Sequence, residues 1–242
     1  MICALHLSPH PDDEVMGAGA TLLGLRAAGH RVINLACGLG RPEQHERRRA
    51  EVQDACERAG FELVVHDPPL HMSRGDDLTS VTVSATRAAA RIVADEGVSL
   101  LISPAPEDAH PAHGAIARAA REVAEQAGLR WWAWGLWRDL EAPTLYSGFG
   151  EERLAALQQV LLAHGGEIER NDFPALLRAR AVAARVLGAE RVWGFGAPGR
   201  ADAYAELLAE WVPDRGRLVP GTPRSLDPAV PFGVFDLQAP GS

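Results

Sequence analysis

Five short apolar runs, each tied to the next by a segment of helical spacing, set the strongest limit on how this chain folds. The runs are residues 1–7, 31–37, 61–66, 98–103 and 130–135. Between them, residues 17–28, 42–59, 81–94 and 115–127 repeat apolar side chains at helical intervals, and the first two stop at Gly29 and Gly60. Strands that are apolar throughout are buried on both faces, and helices between such strands act as crossovers. The expectation is an α/β fold: a doubly wound, mostly parallel sheet with helices on both faces.

Beyond Leu136 the rhythm is less regular. Residues 145–149 read as a strand and 151–164 as a helix. Asn171 or Asp172 caps a long helix, with Pro174 in its first turn and Leu187 at its end. Residues 190–195 then read as a strand and 202–211 as a helix, and the Pro- and Gly-rich chain after Pro213 as an extended surface tail. No linker composition interrupts the sequence. The 242 residues therefore read as one domain, with a core over 1–135 and a C-terminal extension over 136–242 that shapes the pocket.

Charge and cysteine usage narrow the function classes. A formal net charge of -8 argues against nucleic acid, which calls for clustered basic residues. The one basic run, Arg47-Arg48-Arg49, is flanked by Glu46 and Glu51 and reads as a helix face. No apolar stretch reaches the ~18 residues a membrane span needs. The first residues are already strand-like and show no leader pattern. Three cysteines, Cys3, Cys37 and Cys56, are an odd number without CxxC spacing, which fits a reducing, cytoplasmic compartment.

Chemistry concentrates in two segments. Ser8-Pro9-His10-Pro11-Asp12-Asp13-Glu14 puts one imidazole and three carboxylates at the first strand-to-helix turn, where open α/β sheets bind ligands. After the fourth apolar run, the polar segment 104–113 delivers His110 and His113 to the start of a helix. His10, Asp13 and His113 make a set of two imidazoles and one carboxylate suited to Zn2+, leaving a fourth position for water. Asp12 is the natural general base, His110 an imidazolium donor or general acid, and Glu14 a support from behind the ligands. The competing reading is a polar turn in which Asp12 and Asp13 cap the next helix and the histidines are ordinary turn residues. Residue chemistry alone leaves both readings open.

The motifs His10-Pro11-Asp12-Asp13-Glu14, Gly17-Ala18-Gly19-Ala20-Thr21 and His110-Pro111-Ala112-His113 together resemble the signature of the PIG-L/LmbE-like zinc deacetylases, over roughly residues 1–128. The resemblance implies a Rossmann-like sheet, zinc on His10, Asp13 and His113, and Asp12 as the base. It further implies a substrate that is an N-acetylated amino sugar of the N-acetylglucosamine type, including intermediates of aminoglycoside or other antibiotic biosynthesis. An Arg three residues before a Glu on the second helix contacts the sugar in that family, and Arg48 with Glu51 matches that spacing.

One departure stands out. Family members often carry His-Pro-Asp-His, and here the third position is Ala112. Either Asp108 or Glu107 supplies a carboxylate instead, or His110 works nearer neutral; Asp108 is placed with Arg48 on the substrate side. Alternatives are a thiol-cofactor precursor deacetylase or S-conjugate amidase with the same metal site, and a non-catalytic nucleotide-binding module with no use for Asp12. A homo-oligomer stays open. His6 and His66 read as strand or loop histidines, His71 as a cleft candidate, Asp76 and Asp77 as turn residues. The cluster Trp131, Trp132, Trp134 and Trp137 reads first as core, with any outward-facing indole free to stack on a sugar.

Overall fold

A computed structural model describes residues 1–73 and 75–233. Five parallel strands form one half of the sheet: β1 (Cys3–Ser8), β2 (Arg31–Ala36), β3 (Glu62–Val65), β4 (Leu100–Pro104) and β5 (Arg130–Trp134), in the order β3-β2-β1-β4-β5. The expected α/β architecture is therefore present, as an open, mostly parallel sheet between helices. Strands are added outward from β1 in one direction and from β4 in the other, and at such a switch point the loops that follow the two parallel strands part to leave a crevice. The loop after β1 carries His10 to Glu14, and the loop after β4 carries Asp108 to His113.

Side-chain alternation along the strands divides the core in two. Ala4, Ala36, Ile102, Trp132 and Trp134 face one layer, built from α1 (Asp13–Met16), α2 (Gly19–Ala27), α3 (His45–Ala59), α6 (Glu151–Leu161) and the start of α8 (Phe173–Trp193). Leu5, Leu7, Leu101, Trp131 and Ala133 face the other, built from α4 (Leu78–Glu96) and α5 (Pro111–Ala127). Trp131, Trp132 and Trp134 are thus core residues on alternating faces of β5, whereas Trp137, beyond the strand, is 53% exposed. Gly17 sits where the α1–α2 junction meets Trp134. A Cβ there would fall 2.5 Å from the indole, so the close approach requires glycine.

The C-terminal part differs from its sequence reading. Residues 190–193, expected to begin a strand, complete α8, whose helical pattern continues without a break. Residues 202–211, expected as a helix, contribute to the eleven-residue strand β7 (Tyr204–Asp214). Ala, Leu and Glu favour helix there, but β7 has β5 on one side and β6 (Leu145–Phe149) on the other, both antiparallel, and sheet context overrides the local preference. The chain after Pro213, expected as an extended tail, adds β8 (Arg217–Pro220) as a hairpin on β7, and β9 (Arg224–Ser225) beside β6. The extension therefore continues the core sheet. No helix among the described residues is long and apolar enough to cross a membrane.

Two glutamates on one face of β7 anchor this continuation. Glu206 accepts hydrogen bonds from the backbone N–H groups of Ala20 and Thr21, both at 2.8 Å, at the start of α2. Glu210 is 2% exposed and accepts from Arg130 (3.0 Å), the Trp132 indole (3.0 Å) and the 3% exposed Arg224 (2.8 Å). Removing one member of a buried charge pair leaves the other uncompensated. Glu210→Ala is expected to lower the unfolding free energy by about 3–5 kcal/mol, measured by urea denaturation. A loss below about 1 kcal/mol, the range of surface pairs, would contradict the anchoring role.

Candidate functional site

The turn after β1 is knitted by its own side chains. The His10 backbone N–H donates to Asp13 Oδ2 (2.8 Å), and the Asp12 N–H donates to Glu14 Oε2 (3.1 Å). Asp12 lies in the left-handed region at φ 106°, a conformation costly for a non-glycine residue and found mostly where function demands it. Its carbonyl accepts from Val15 and Met16 as α1 begins, so the strain fixes the Asp12 side chain at the end of the strand.

Three imidazoles meet the turn. The ligand atoms of His10, His110 and His113 all lie within 4.8 Å of one another. Asp13 adds its carboxylate: Oδ2 is 3.3 Å from His10 Nδ1 and Oδ1 is 3.5 Å from His113 Nε2. The structure thus brings together the expected set His10, Asp13 and His113, with His110 in the same cluster. Donors sharing one tetrahedral zinc, with bonds of about 2.0–2.2 Å, stand about 3.3–3.5 Å apart. The imidazoles of His10 and His113 each meet their own Asp13 oxygen at that spacing, and the mix of imidazole and carboxylate donors suits a divalent ion. The Nδ1 of His110 is buried without a hydrogen-bond partner, a further sign of a site built around something more than its own contacts.

His113 is held from behind. Its Nδ1 faces Asp108 Oδ1 at 3.4 Å and its ring meets the Trp134 indole edge-on at 5.3 Å between centroids, which leaves Nε2 directed at Asp13. Asp108, expected on the substrate side, instead faces inward and is absent from the cavity wall. It accepts from the backbone N–H groups of His110 (2.9 Å), Leu136 (2.9 Å) and Trp137 (3.1 Å), so its oxygens are engaged by the protein. It nevertheless supplies a carboxylate to the histidine cluster, the part that Ala112 cannot play.

Electrostatics separates the two aspartates. Asp12 has a proton affinity well above the ordinary carboxylate range, because burial, then Asp13, Glu14 and Glu167, disfavour its charge, with only Arg48 opposing. For Asp13 burial acts in the same direction, but the His113 charge and the hydrogen bonds of His10 prevail and hold it ionised. Burial, aided by His10 and His113, pushes His110 down to about 4. Its surroundings therefore favour a neutral ring, the alternative that Ala112 leaves open, over the imidazolium. His113 is raised by Asp13 and Asp108 against its own burial.

The cavity above the cluster, about 140 Å³, is lined by the histidines, both aspartates, Arg48, Trp137 and residues of the extension. Arg48 is buried and paired with the buried Glu167 at 2.8 Å, and Glu167 also holds Arg170 at 2.5 Å. Glu167 belongs to the short helix α7 (Gly165–Ile168), which sequence reasoning left unassigned. His164, just before it, was likewise missed. Its Nε2 lies 2.5 Å from Glu14 Oε1, with both side chains fully buried. The available signal was the buried position of Glu14 beside a core strand, which obliges some distant residue to partner it. His6 is a core histidine between Asn34 (2.8 Å) and the Trp134 indole (3.1 Å), as expected. His71 is exposed and pairs with Asp76 at 2.9 Å, away from the cavity.

Residues 5–124 match the family model described as PIG-L, GlcNAc-PI de-N-acetylase. The chain belongs to the PIG-L family. The matched segment spans β1 to α5 and contains every residue of the histidine–aspartate cluster. No curated protein matches the chain at the sequence level. Among solved structures, the zinc-inhibited form of teicoplanin deacetylase Orf2 aligns at TM-score 0.67 and 13% identity, over 90% of this chain and 98% of that one. The N,N'-diacetylchitobiose deacetylase from Pyrococcus horikoshii aligns at 0.58 and 16%, over 98% of this chain and 87% of its own. The 4-carboxy-2-hydroxymuconate hydratase GalB from Pseudomonas putida KT2440 aligns at 0.60 and 18%, over 88% and 98%. At these identities the likeness shows a shared fold, and one fold serves more than one chemistry.

The Glu14–His164 pair gives this PIG-L site a pH signature. Burial opposes the charge on His164, but Glu14 raises its proton affinity above the ordinary imidazole value. A folded pKa raised above the unfolded one contributes stability in full below about pH 6.5. That contribution is lost as pH rises through the folded value. The stability difference between wild type and His164→Gln is therefore expected to be larger at pH 6 than at pH 9, read from urea midpoints. A difference independent of pH would show that the pair does not carry a proton.

Proposed function

We infer that this chain is a divalent-metal-dependent hydrolase that removes the acetyl group from an N-acetylated amino sugar, with zinc as the ion its donors suit best. The observation that carries the reading is the convergence of His10, His110 and His113 within 4.8 Å, with Asp13 between two of them, beside a buried Asp12 of high proton affinity. The family description, GlcNAc-PI de-N-acetylase, and the two structural neighbours named as deacetylases support the same reaction class.

His10, Asp13 and His113 would hold the ion, and His110 stands beside them as a neutral ring. When bound, zinc supplies Lewis acidity that lowers the pKa of water to about 7 and polarises a carbonyl, and its charge favours the ionised form of a carboxylate beside it. Asp12 takes the proton from water as the water oxygen bonds to the acetyl carbon. It returns that proton to the sugar nitrogen as the C–N bond breaks, so the products are acetate and a free amine. A carboxylate with raised proton affinity is suited to both transfers. Arg48, fixed by Glu167, presents a guanidinium to the sugar hydroxyls at the cavity wall.

The GalB neighbour shows that this fold also houses a hydratase, so product identity decides the reaction. The test is acetate release from a panel of N-acetylated amino sugars and pseudodisaccharides by zinc-loaded protein. Asp12→Asn is expected to lose about 10²–10⁴-fold in rate, the usual contribution of a general base, while binding zinc as wild type does. Full activity in Asp12→Asn would overturn the mechanism. Failure of the panel to release acetate, with the metal bound, would overturn the reaction class.

A further inference from the structure

Arg180 lies on α8, in the C-terminal extension and outside the family-matched segment, yet it is wired into the histidine cluster. It donates through Nη2 to the Gly135 carbonyl and through Nη1 to the Leu136 carbonyl, the latter at 3.0 Å. The amide N–H groups of those same two peptide units belong to Leu136 and Trp137, and both donate to Asp108 Oδ2, at 2.9 and 3.1 Å. Two consecutive peptide groups are therefore gripped at their oxygens by a cation and at their nitrogens by an anion. That alignment polarises both units and strengthens each hydrogen bond in the chain. The other oxygen of Asp108 accepts from the His110 N–H at 2.9 Å and faces His113 Nδ1 at 3.4 Å. The path from Arg180 thus runs by hydrogen bonds as far as the His110 backbone and reaches the His113 ring through the 3.4 Å ionic contact with Asp108. The loop it fixes also carries Trp137 onto the cavity wall.

We propose that Arg180 is a positioning residue for the metal site: by clamping the 135–137 peptide groups onto Asp108, it fixes the orientation in which His113 offers Nε2 to an ion. The proposal rests on the metal-hydrolase reading for its consequence, but the clamp itself stands on the geometry alone. A control is built into the same helix. Arg191 donates to the Leu140 carbonyl and lies 3.5 Å from Asp139, so it holds the far end of the same loop without reaching Asp108. Both arginines also line the same cavity of about 100 Å³ beneath the loop, so loss of either guanidinium disturbs similar packing.

The test compares Arg180→Met, Arg180→Lys and Arg191→Met with wild type in two measurements. The first is amide hydrogen exchange of Leu136 and Trp137 in metal-free protein. The second is zinc affinity by competition with a chromophoric chelator. Arg180→Met is expected to speed exchange at both amides and to weaken zinc binding by about 10–100-fold, the usual effect of losing a group that orients a metal ligand. Arg180→Lys is expected to recover part of both, since an ammonium keeps the charge but not the fork. Arg191→Met is expected to leave zinc affinity and the two amides as in wild type. Equal effects from the two methionine variants, or unchanged amide exchange in Arg180→Met, would overturn the clamp. A wild-type protein that takes up no zinc would instead overturn the metal-hydrolase reading, with the exchange comparison still deciding the clamp.

Discussion

Three consecutive carboxylates, Asp12, Asp13 and Glu14, are withdrawn from water at the end of β1, and much of the surrounding structure answers the cost of burying them. Each has a different solution. Glu14 receives His164 and the Asp12 amide. Asp13 receives the His10 amide and stands between the rings of His10 and His113. Asp12 receives only the distant help of Arg48, and its proton affinity stays strongly raised. The division of labour among adjacent acids thus follows from which of them the fold partners.

Those partners come from far along the chain. β4 delivers His113 because it neighbours β1 in the sheet, and α7 with the residue before it delivers His164 and Glu167. Arg180 reaches the site through the backbone of the loop after β5. The family-matched segment therefore contains the cluster, while the extension supplies the groups that hold it: a partner for Glu14, one for Arg48 and a brace for the Asp108 loop. This arrangement explains why β7 is anchored through Glu206 to the start of α2, only a few residues from the site.

The parallel half of the sheet is legible in the sequence because its strands are short and mostly apolar and its helices stop at glycines. The cluster was legible because its residues crowd two short turns after strands, where few structural demands call for histidine. The extension was less so. In β7, Ala, Leu and Glu are spaced so that Glu206 and Glu210 share one face whether the segment is helix or strand, and only the neighbouring strands decide. His164 and Arg180 sit in segments that are mostly apolar around them, and nothing local points to partners so far away in the chain. From sequence, Asp108 and Glu107 are equal candidates for the compensating carboxylate, and the inward turn of Asp108 is not legible because the loop amides that hold it are set by tertiary structure.

Every functional role proposed for these residues depends on the histidine–aspartate cluster being a metal centre. The most direct measurement is a calorimetric zinc titration of protein freed of metal by chelation, beside His113→Ala and His71→Ala. One ion per chain is predicted for wild type and for His71→Ala, and its loss in His113→Ala. Equal binding in all three, or none in wild type, would contradict the account.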